Sequence, residues 1–154
     1  MKALMMSTAI LFAMAGIAHA ETFSFSGKNT NGDQIAGPGA SGKPIIAGAS
    51  TFANDEVWAS GTKMKSNGKC MAWSAPPASG FTVEGICTGT DGNGGFFVQF
   101  SCVARGAKNA ESDCWGGLTG TSGKYQGKMG TASWHGKQDA DGKGSTSVGA
   151  GSWD

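Results

Sequence analysis

The residues of this chain with the most distinctive chemistry are four cysteines, at positions 70, 87, 102 and 114. Thiolates can hold zinc, but structural zinc sites use C-x-x-C pairs or several histidines. No C-x-x-C pair occurs, and His135 is the only histidine after residue 20. We therefore predict no metal site. An even number of cysteines in an exported chain is typical of a disulfide framework, so two disulfides are expected.

His135 and Arg105, the only arginine, could serve in acid–base or anion-binding chemistry. A Ser-His-Asp triad needs an exposed nucleophilic serine, but the G-x-S-x-G segment that presents one is absent. His135 follows Trp134 close to a predicted loop, and Arg105 follows a predicted strand. Both are interpreted as exposed surface residues.

Tyr125, the only tyrosine, can either pack in a core or orient a ligand through its hydroxyl, and the sequence leaves both roles open. Glu84 lies on the polar side of a predicted strand and is expected to face solvent. If the apolar side faced outward in an oligomer, Glu84 would point inward and could act as a base with a raised pKa. Phosphate-loop and dinucleotide-binding motifs are absent, so no cofactor is predicted.

The elements that must position these residues are short strands separated by clusters of Gly, Asn, Asp and Ser. Residues 81–87 and 96–104 are the clearest strands, because apolar side chains recur at every second position. Further strands are expected at Phe23–Phe25 and over 44–48, 56–64 and 70–74. Residues 29–43 are expected to form a long loop and residues 88–95 a shorter one.

The last third of the chain, residues 115–153, is rich in glycine but also carries large aromatic residues at regular intervals. This combination favours strongly bent strands over a flexible tail. Residues 137–144 are expected to form a hairpin loop; Asp139 and Asp141 resemble part of a calcium loop whose last ligand is missing. Alternating runs, frequent glycine and the lack of a helical stripe indicate an all-β fold, a sandwich or a barrel, and we favour the barrel.

Hairpin symmetry chooses among the three possible disulfide pairings. Cys70 and Cys87 are symmetric about a predicted loop at 75–80, and Cys102 and Cys114 about one at 105–110. Opposed residues on paired strands lie close enough for a disulfide after a small adjustment. The predicted bonds are therefore Cys70–Cys87 and Cys102–Cys114.

Residues 1–20 have the features of a secretory signal peptide: Lys2, an apolar run, and Ala18-His19-Ala20 as a cleavage pattern. The apolar run is shorter than the ~20 residues that span a bilayer. We expect residues 21–154 to form one domain, located in the periplasm or secreted, with no membrane contact after cleavage. A net charge of +1 with 15% charged residues argues against nucleic-acid binding.

Residues 119–130 read T-G-T-S-G-K-Y-Q-G-K-M-G. This segment resembles the T-G-G-S-G-x-[aromatic]-x-G-x-x-G segment of the allene oxide cyclase barrel families, and is similar to the corresponding segment of dirigent proteins. The matching positions are Thr119, Gly120, Ser122, Gly123, Tyr125, Gly127 and Gly130. The resemblance implies a small antiparallel barrel of about eight strands, calycin-like in form, with a central cavity. It also implies a possible homo-oligomer and cofactor-free guidance of a reactive intermediate.

The barrel prediction leads to a functional hypothesis: a small apolar or aromatic molecule binds in the cavity, and the protein could guide its isomerisation or cyclisation. The candidate ligand-binding residues are Phe100, Trp115, Tyr125 and Trp134. The alternative is a protein-interaction module, such as an inhibitor of a periplasmic hydrolase, with the loop at 29–43 as its contact edge.

Overall fold

The structure is a computed structural model that describes residues 20–39, 42–106 and 110–154. The predicted signal peptide lies outside the described residues except for Ala20. Eight antiparallel strands form a closed barrel in chain order, which confirms the predicted fold class. The strands are β1 (Glu21–Gly37), β2 (Ile45–Trp58), β3 (Lys63–Ser74), β4 (Val83–Thr90), β5 (Gly95–Arg105), β6 (Glu111–Gly120), β7 (Met129–Gln138) and β8 (Gly144–Trp153). No helix in the described ranges is long and apolar enough to cross a membrane.

Each strand pairs with its sequence neighbours, and β1 closes the barrel by pairing with β8 from Glu21↔Trp153 to Thr30↔Gly144. Closure leaves the strands within the barrel without a free edge, so their backbone hydrogen bonds are made inside the sheet. The inward side of the wall follows the period-two alternation of each strand. In β5, for example, Phe96, Val98, Phe100 and Cys102 all face the interior.

Several glycines lie directly opposite a phenylalanine on the neighbouring strand, and this pairing gives these glycines a packing role. Five phenylalanines lie directly opposite a glycine on the neighbouring strand, and a Cβ added at any of these glycines would come within 2.5 or 2.6 Å of a ring carbon. The rings therefore lie flat over glycine backbone, which a side chain would prevent. The pairs are Phe23↔Gly151, Phe25↔Gly149, Phe52↔Gly68, Phe100↔Gly85 and Phe96↔Gly89.

The two disulfides are Cys70–Cys87 and Cys102–Cys114, as predicted. In each bond the two residues are directly opposed, on β3 and β4 or on β5 and β6, with Cα–Cα distances of 4.0 and 4.1 Å. All four sulfur-bearing side chains face the interior. The disulfides therefore cross-link two hairpins of the barrel, β3–β4 and β5–β6, from inside.

Several predicted boundaries were wrong. Residues 29–37 belong to β1, because they pair with β2 across a register shift between Asn31 and Gln34, so the predicted loop at 29–43 shrinks to the segment after Gly37. The predicted strand at 56–64 is interrupted by a turn in which Gly61 has a φ of 83°. Phe81 precedes β4 and is exposed.

Candidate functional site

The barrel lumen holds a cavity of about 250 Å³. Side chains from all eight strands reach it, together with Asp91 from the β4–β5 loop and Tyr125 from the β6–β7 connection. Its wall combines aromatic rings with polar side chains, and the Phe and Trp rings are those of Phe23, Phe25, Phe52, Phe96, Phe100, Trp134 and Trp153. Ligand sites in small barrels have this form: an apolar cavity with a few polar groups in fixed positions.

Tyr125 closes one end of the lumen. Its ring lies between Trp153, at a centroid distance of 4.5 Å, and Trp58, at 6.2 Å, and is nearly parallel to both. Only 2% of the residue is exposed. We call Trp58, Tyr125 and Trp153 the floor of the lumen. Such offset aromatic stacks add stability beyond the burial of their area.

The glycine-rich segment 119–130 brings Tyr125 to the floor. Gly123 has a φ of 64°, a left-handed conformation that favours glycine, and starts a short 3-10 turn that ends at Tyr125. A Cβ at Gly120 would collide with the backbone oxygen of Tyr125. The glycines of this segment therefore let the chain fold back so that an aromatic ring enters the lumen.

Asp91 anchors the floor tyrosine. The Tyr125 hydroxyl donates to Asp91 Oδ2 at 2.5 Å and accepts from Asn93 Nδ2 at 3.3 Å. Asp91 Oδ1 accepts the backbone N–H groups of Asn93, at 2.6 Å, and Gly94, at 3.1 Å. Burial, with the Asp91 carboxylate next, raises the pKa of Tyr125 well above its usual range. The phenol therefore stays protonated and keeps donating to Asp91.

Glu56 is the buried acid of the lumen. It lies on the inner face of β2, and only 6% of the residue is exposed. Burial raises the pKa of the Glu56 carboxyl, and the nearby Asp91 charge adds to that effect. The Ser66 hydroxyl and the Trp58 indole N–H lie close enough to the Glu56 carboxyl to lower its pKa in part. Neither forms a well-aligned hydrogen bond with any described group.

The opposite end of the lumen is open. Phe25, Phe100 and Trp134 face inward there but remain partly exposed, in contrast to the floor residues. The rim is polar, with Asn29 Nδ2 donating to Ser145 Oγ at 3.3 Å across β1 and β8. A small molecule can therefore enter from the rim and pass an aromatic throat before it meets Glu56.

Three of the four predicted ligand-binding residues, Phe100, Tyr125 and Trp134, line the lumen. Trp115 does not: it is 49% exposed on the outer face of β6, which corrects its expected position. The reason is alternation, because the neighbouring Cys114 faces inward to bond Cys102. That pairing was itself predicted, so the sequence already contained the signal that places Trp115 outside.

The other candidate residues lie outside the lumen. Glu84 does not line the cavity. His135 and Arg105 sit on the outer surface around Asp113, with His135 Nδ1 at 2.9 Å from one carboxylate oxygen and Arg105 Nε at 3.1 Å from the other. The hydrogen bonds with His135 and then Arg105 lower the pKa of Asp113. His135 and Arg105 are therefore exposed surface residues, as expected from the sequence.

Sequence reasoning missed Glu56 and Asp91. Glu56 was assigned to a strand with the wrong limits, although Phe52, Asn54, Glu56 and Trp58 alternate regularly along β2 and share its inner face. Asp91 lies in a loop sequence, Asp-Gly-Asn-Gly, which marks a turn but not its position over the lumen.

Outside the lumen, two other kinds of site are possible in principle. A broader depression of about 1170 Å³ lies on the outer wall, but its lining contains no charged side chain and consists largely of small residues. In the described part of the chain, no three His, Cys, Asp or Glu side chains come together as metal ligands.

No protein-family profile and no curated protein matches the chain. The lumen is therefore the candidate site on its geometry alone.

Proposed function

We propose that this protein is exported and binds a small aromatic or apolar molecule in its lumen. The observation that carries the proposal is the aromatic cavity of about 250 Å³, open at a polar rim and closed by the stacked floor. A core built only for stability would be filled to crystal-like density. The two disulfides support a location in an oxidising compartment, the periplasm or the exterior.

Two neighbouring residues on β2 offer a matched test. Ser50 lines the lumen and Thr51 lies on the outer wall. A tryptophan at position 50 would occupy the throat, whereas one at 51 would extend into solvent. Isothermal calorimetry with a panel of small aromatic compounds should show binding to the wild type and Thr51→Trp, and at least tenfold weaker binding to Ser50→Trp. Equal binding to all three proteins, or none to the wild type, would reject the lumen as a binding site.

The same cavity supports a proposed cofactor-free isomerisation or cyclisation, in line with the resemblance of residues 119–130 to the allene oxide cyclase families. The supporting observation is the buried Glu56 carboxyl, whose raised pKa suits a general acid or base. Under this proposal, Glu56→Gln abolishes turnover of a substrate while its binding persists. Unchanged turnover would remove Glu56 from the mechanism.

A protein-interaction module is a second candidate, favoured by the β1–β2 hairpin. Pairing of β1 with β8 ends at Thr30, so the rest of β1 pairs with β2 alone. This hairpin extension exposes Ile35, Ile45 and Ile46, the first to 76%. Exposed apolar side chains of this kind mark contact surfaces. If the protein inhibits a periplasmic hydrolase, Ile35→Ser with Ile45→Ser should abolish inhibition without changing Tm; retained inhibition would exclude the hairpin.

We also propose a homo-oligomer, because exposed apolar side chains on the barrel wall mark a contact surface. The outer wall carries exposed Val57, Trp115 and Val148 as well as the broad depression. Analytical ultracentrifugation of the wild type and Trp115→Ser would test whether this wall is buried between copies.

A further inference from the structure

The lumen carries acidic groups without a basic counterpart. Among the described residues that line the cavity, Glu56 and Asp91 are the carboxylic acids, and none is lysine, arginine or histidine. The Lys and Arg ion pairs of the described ranges, Lys65–Asp55 and Arg105–Asp113, lie on the exposed outer surface. The protein therefore supplies no cation to compensate a carboxylate in the lumen, and an uncompensated buried carboxylate is unfavourable.

The two acids differ in the number of hydrogen bonds that their carboxyl groups accept. Asp91 accepts three hydrogen bonds, from the Tyr125 hydroxyl and from two backbone N–H groups. No well-aligned hydrogen bond joins Glu56 to another described group, although the Ser66 hydroxyl and the Trp58 indole N–H lie close enough to its carboxyl to lower its pKa in part. Ser66, a diagonal neighbour of Glu56 across the β2–β3 pair, is 1% exposed, and its hydroxyl has no partner among the described residues. Glu56 and Ser66 thus offer free acceptors at one place in the lumen.

An ammonium group matches this arrangement. It has three donors and no acceptor, so it can bond to both the Glu56 carboxylate and the Ser66 oxygen. The rest of the cavity favours the same charge, because the faces of aromatic rings attract cations. Ring pairs stand along the path to Glu56, with Phe52–Phe96 centroids 6.4 Å apart and Phe100–Trp134 centroids 5.6 Å apart.

The cavity volume limits the ligand. Since each water occupies roughly 30 Å³ in the liquid, 250 Å³ corresponds to about eight waters. A molecule of about eight non-hydrogen atoms fits this space on the same estimate. An aromatic ring with a short amine-bearing arm has this size and could place its ring in the throat and its charge beside Glu56.

We infer that the lumen binds a small organic cation, an amine with an aromatic or apolar body, whose ammonium group is held by Glu56 and Ser66. This inference rests on the proposed lumenal binding and adds the charge of the ligand to it.

Three probes of nearly equal size and different charge test the inference: phenethylammonium, 2-phenylethanol and phenylacetate. Titration calorimetry of the exported protein should show phenethylammonium binding at least tenfold more tightly than the alcohol, with phenylacetate the weakest. In Glu56→Gln, phenethylammonium and 2-phenylethanol should bind with about equal affinity, and the affinity for the alcohol should match that of the wild type. Ser66→Ala should reduce the preference in part. Glu84→Gln, which removes a carboxylate that does not line the cavity, should retain it.

The outcomes separate the two proposals. If the alcohol or the acid binds as tightly as the amine, or if Glu56→Gln keeps the preference, the cation inference is overturned and lumenal binding stands. If none of the three probes binds to the wild type, both proposals are overturned for ligands of this size. The wild-type comparison requires no variant, so it remains decisive even if a substituted protein folds poorly.

Discussion

At the scale of single residues, the lumen departs most from an ordinary protein core at Glu56. Buried carboxyl groups are rare and normally find a hydrogen-bonding partner. Asp91 follows that rule through Tyr125 and the backbone, whereas Glu56 does not. The chain thus holds one acid in a bonded, structural role and keeps a second one free at the end of an aromatic throat.

Replacing Glu56 by glutamine should raise Tm by an amount that grows with pH. Because burial holds the pKa of Glu56 above its ordinary 4.5, the folded protein keeps a proton at pH values where the unfolded chain has lost it. The stability that comes with this proton is complete below the unfolded-state pKa and is lost as pH rises through the raised folded-state pKa. Glutamine does not titrate. The increase in Tm caused by Glu56→Gln should therefore be smallest near about pH 4 and larger towards about pH 8.

Differential scanning calorimetry across that pH range measures this effect. Asp91 and Tyr125, which face the same region, are present in both proteins, so the comparison reports the Glu56 carboxyl together with its interaction with the Asp91 charge. Glu84→Gln controls for the loss of a carboxylate that does not line the lumen. A Tm difference between wild type and Glu56→Gln that is constant with pH would contradict the raised pKa.

At the scale of elements, the strands are matched to one another by glycine–phenylalanine pairs and by the two disulfides. The pairs allow a narrow barrel to hold many rings, since the glycine strand gives each ring a flat surface. They also explain how a chain of low aliphatic content forms a core: only one leucine, Leu118, follows residue 20. Ring burial replaces the branched side chains that usually fill a barrel.

Gly85→Ala should destabilise the protein by about 1–3 kcal/mol, the usual range for overpacking. A Cβ there would lie 2.5 Å from Phe100 Cζ and 2.6 Å from the Met71 backbone oxygen, and the backbone atom cannot rotate away. Gly117→Ala is the matched control, because nothing lies within 4 Å of the added atom. Urea denaturation compares the two variants, and equal stabilities would contradict the close packing of the ring over glycine.

Removing either disulfide as a pair, Cys70→Ala with Cys87→Ala or Cys102→Ala with Cys114→Ala, should cost about 3 kcal/mol in the chain-entropy view. The bonds close sequence separations of 17 and 12 residues. Paired substitution avoids a free thiol in the lumen. Chemical denaturation of both double variants measures the loss. A change below about 0.5 kcal/mol for both would show that the cross-links do not restrict the unfolded chain as the chain-entropy view requires.

At the scale of the whole molecule, the barrel has a closed floor, an open rim and a hairpin extension that continues past β8. The hairpin extension begins at the open rim, because Asn31 and Ser50 pair with each other just past the end of the β1–β8 pairing and also line the lumen. β1 begins at Glu21 and pairs immediately with Trp153 at the end of β8. The chain therefore enters the barrel directly after the predicted cleavage site.

The exported protein should begin at Glu21. Residues 1–20 carry the export features, and the barrel starts at the residue that follows them. Intact-mass measurement and N-terminal sequencing of periplasmic material give the answer. Blocking cleavage by Ala18→Leu with Ala20→Leu should leave the precursor at the membrane. Finding Met1 on periplasmic protein would contradict the prediction.

The sequence by itself determined the all-β barrel and both disulfides, while the number of strands came from the resemblance of residues 119–130 to barrel families. These depend on local information: alternation within a strand, glycine-rich connections between strands, and hairpins whose symmetry opposes the cysteines. Each cysteine pair is separated by 17 residues or fewer. The sequence did not predict the turn at Gly61 or the pairing of residues 29–37, because glycine and asparagine also occur inside strands that have a partner.

Only the tertiary structure decided the site. Alternation groups Cys114 with Leu118 and separates them from Trp115, but barrel closure determines that the first group faces the lumen. Tyr125 meets Asp91 across 34 residues and Trp58 across the barrel floor, contacts that no local pattern encodes. Glu56 acquires its raised pKa for the same reason, since burial and a neighbouring charge arise only when distant strands close around it.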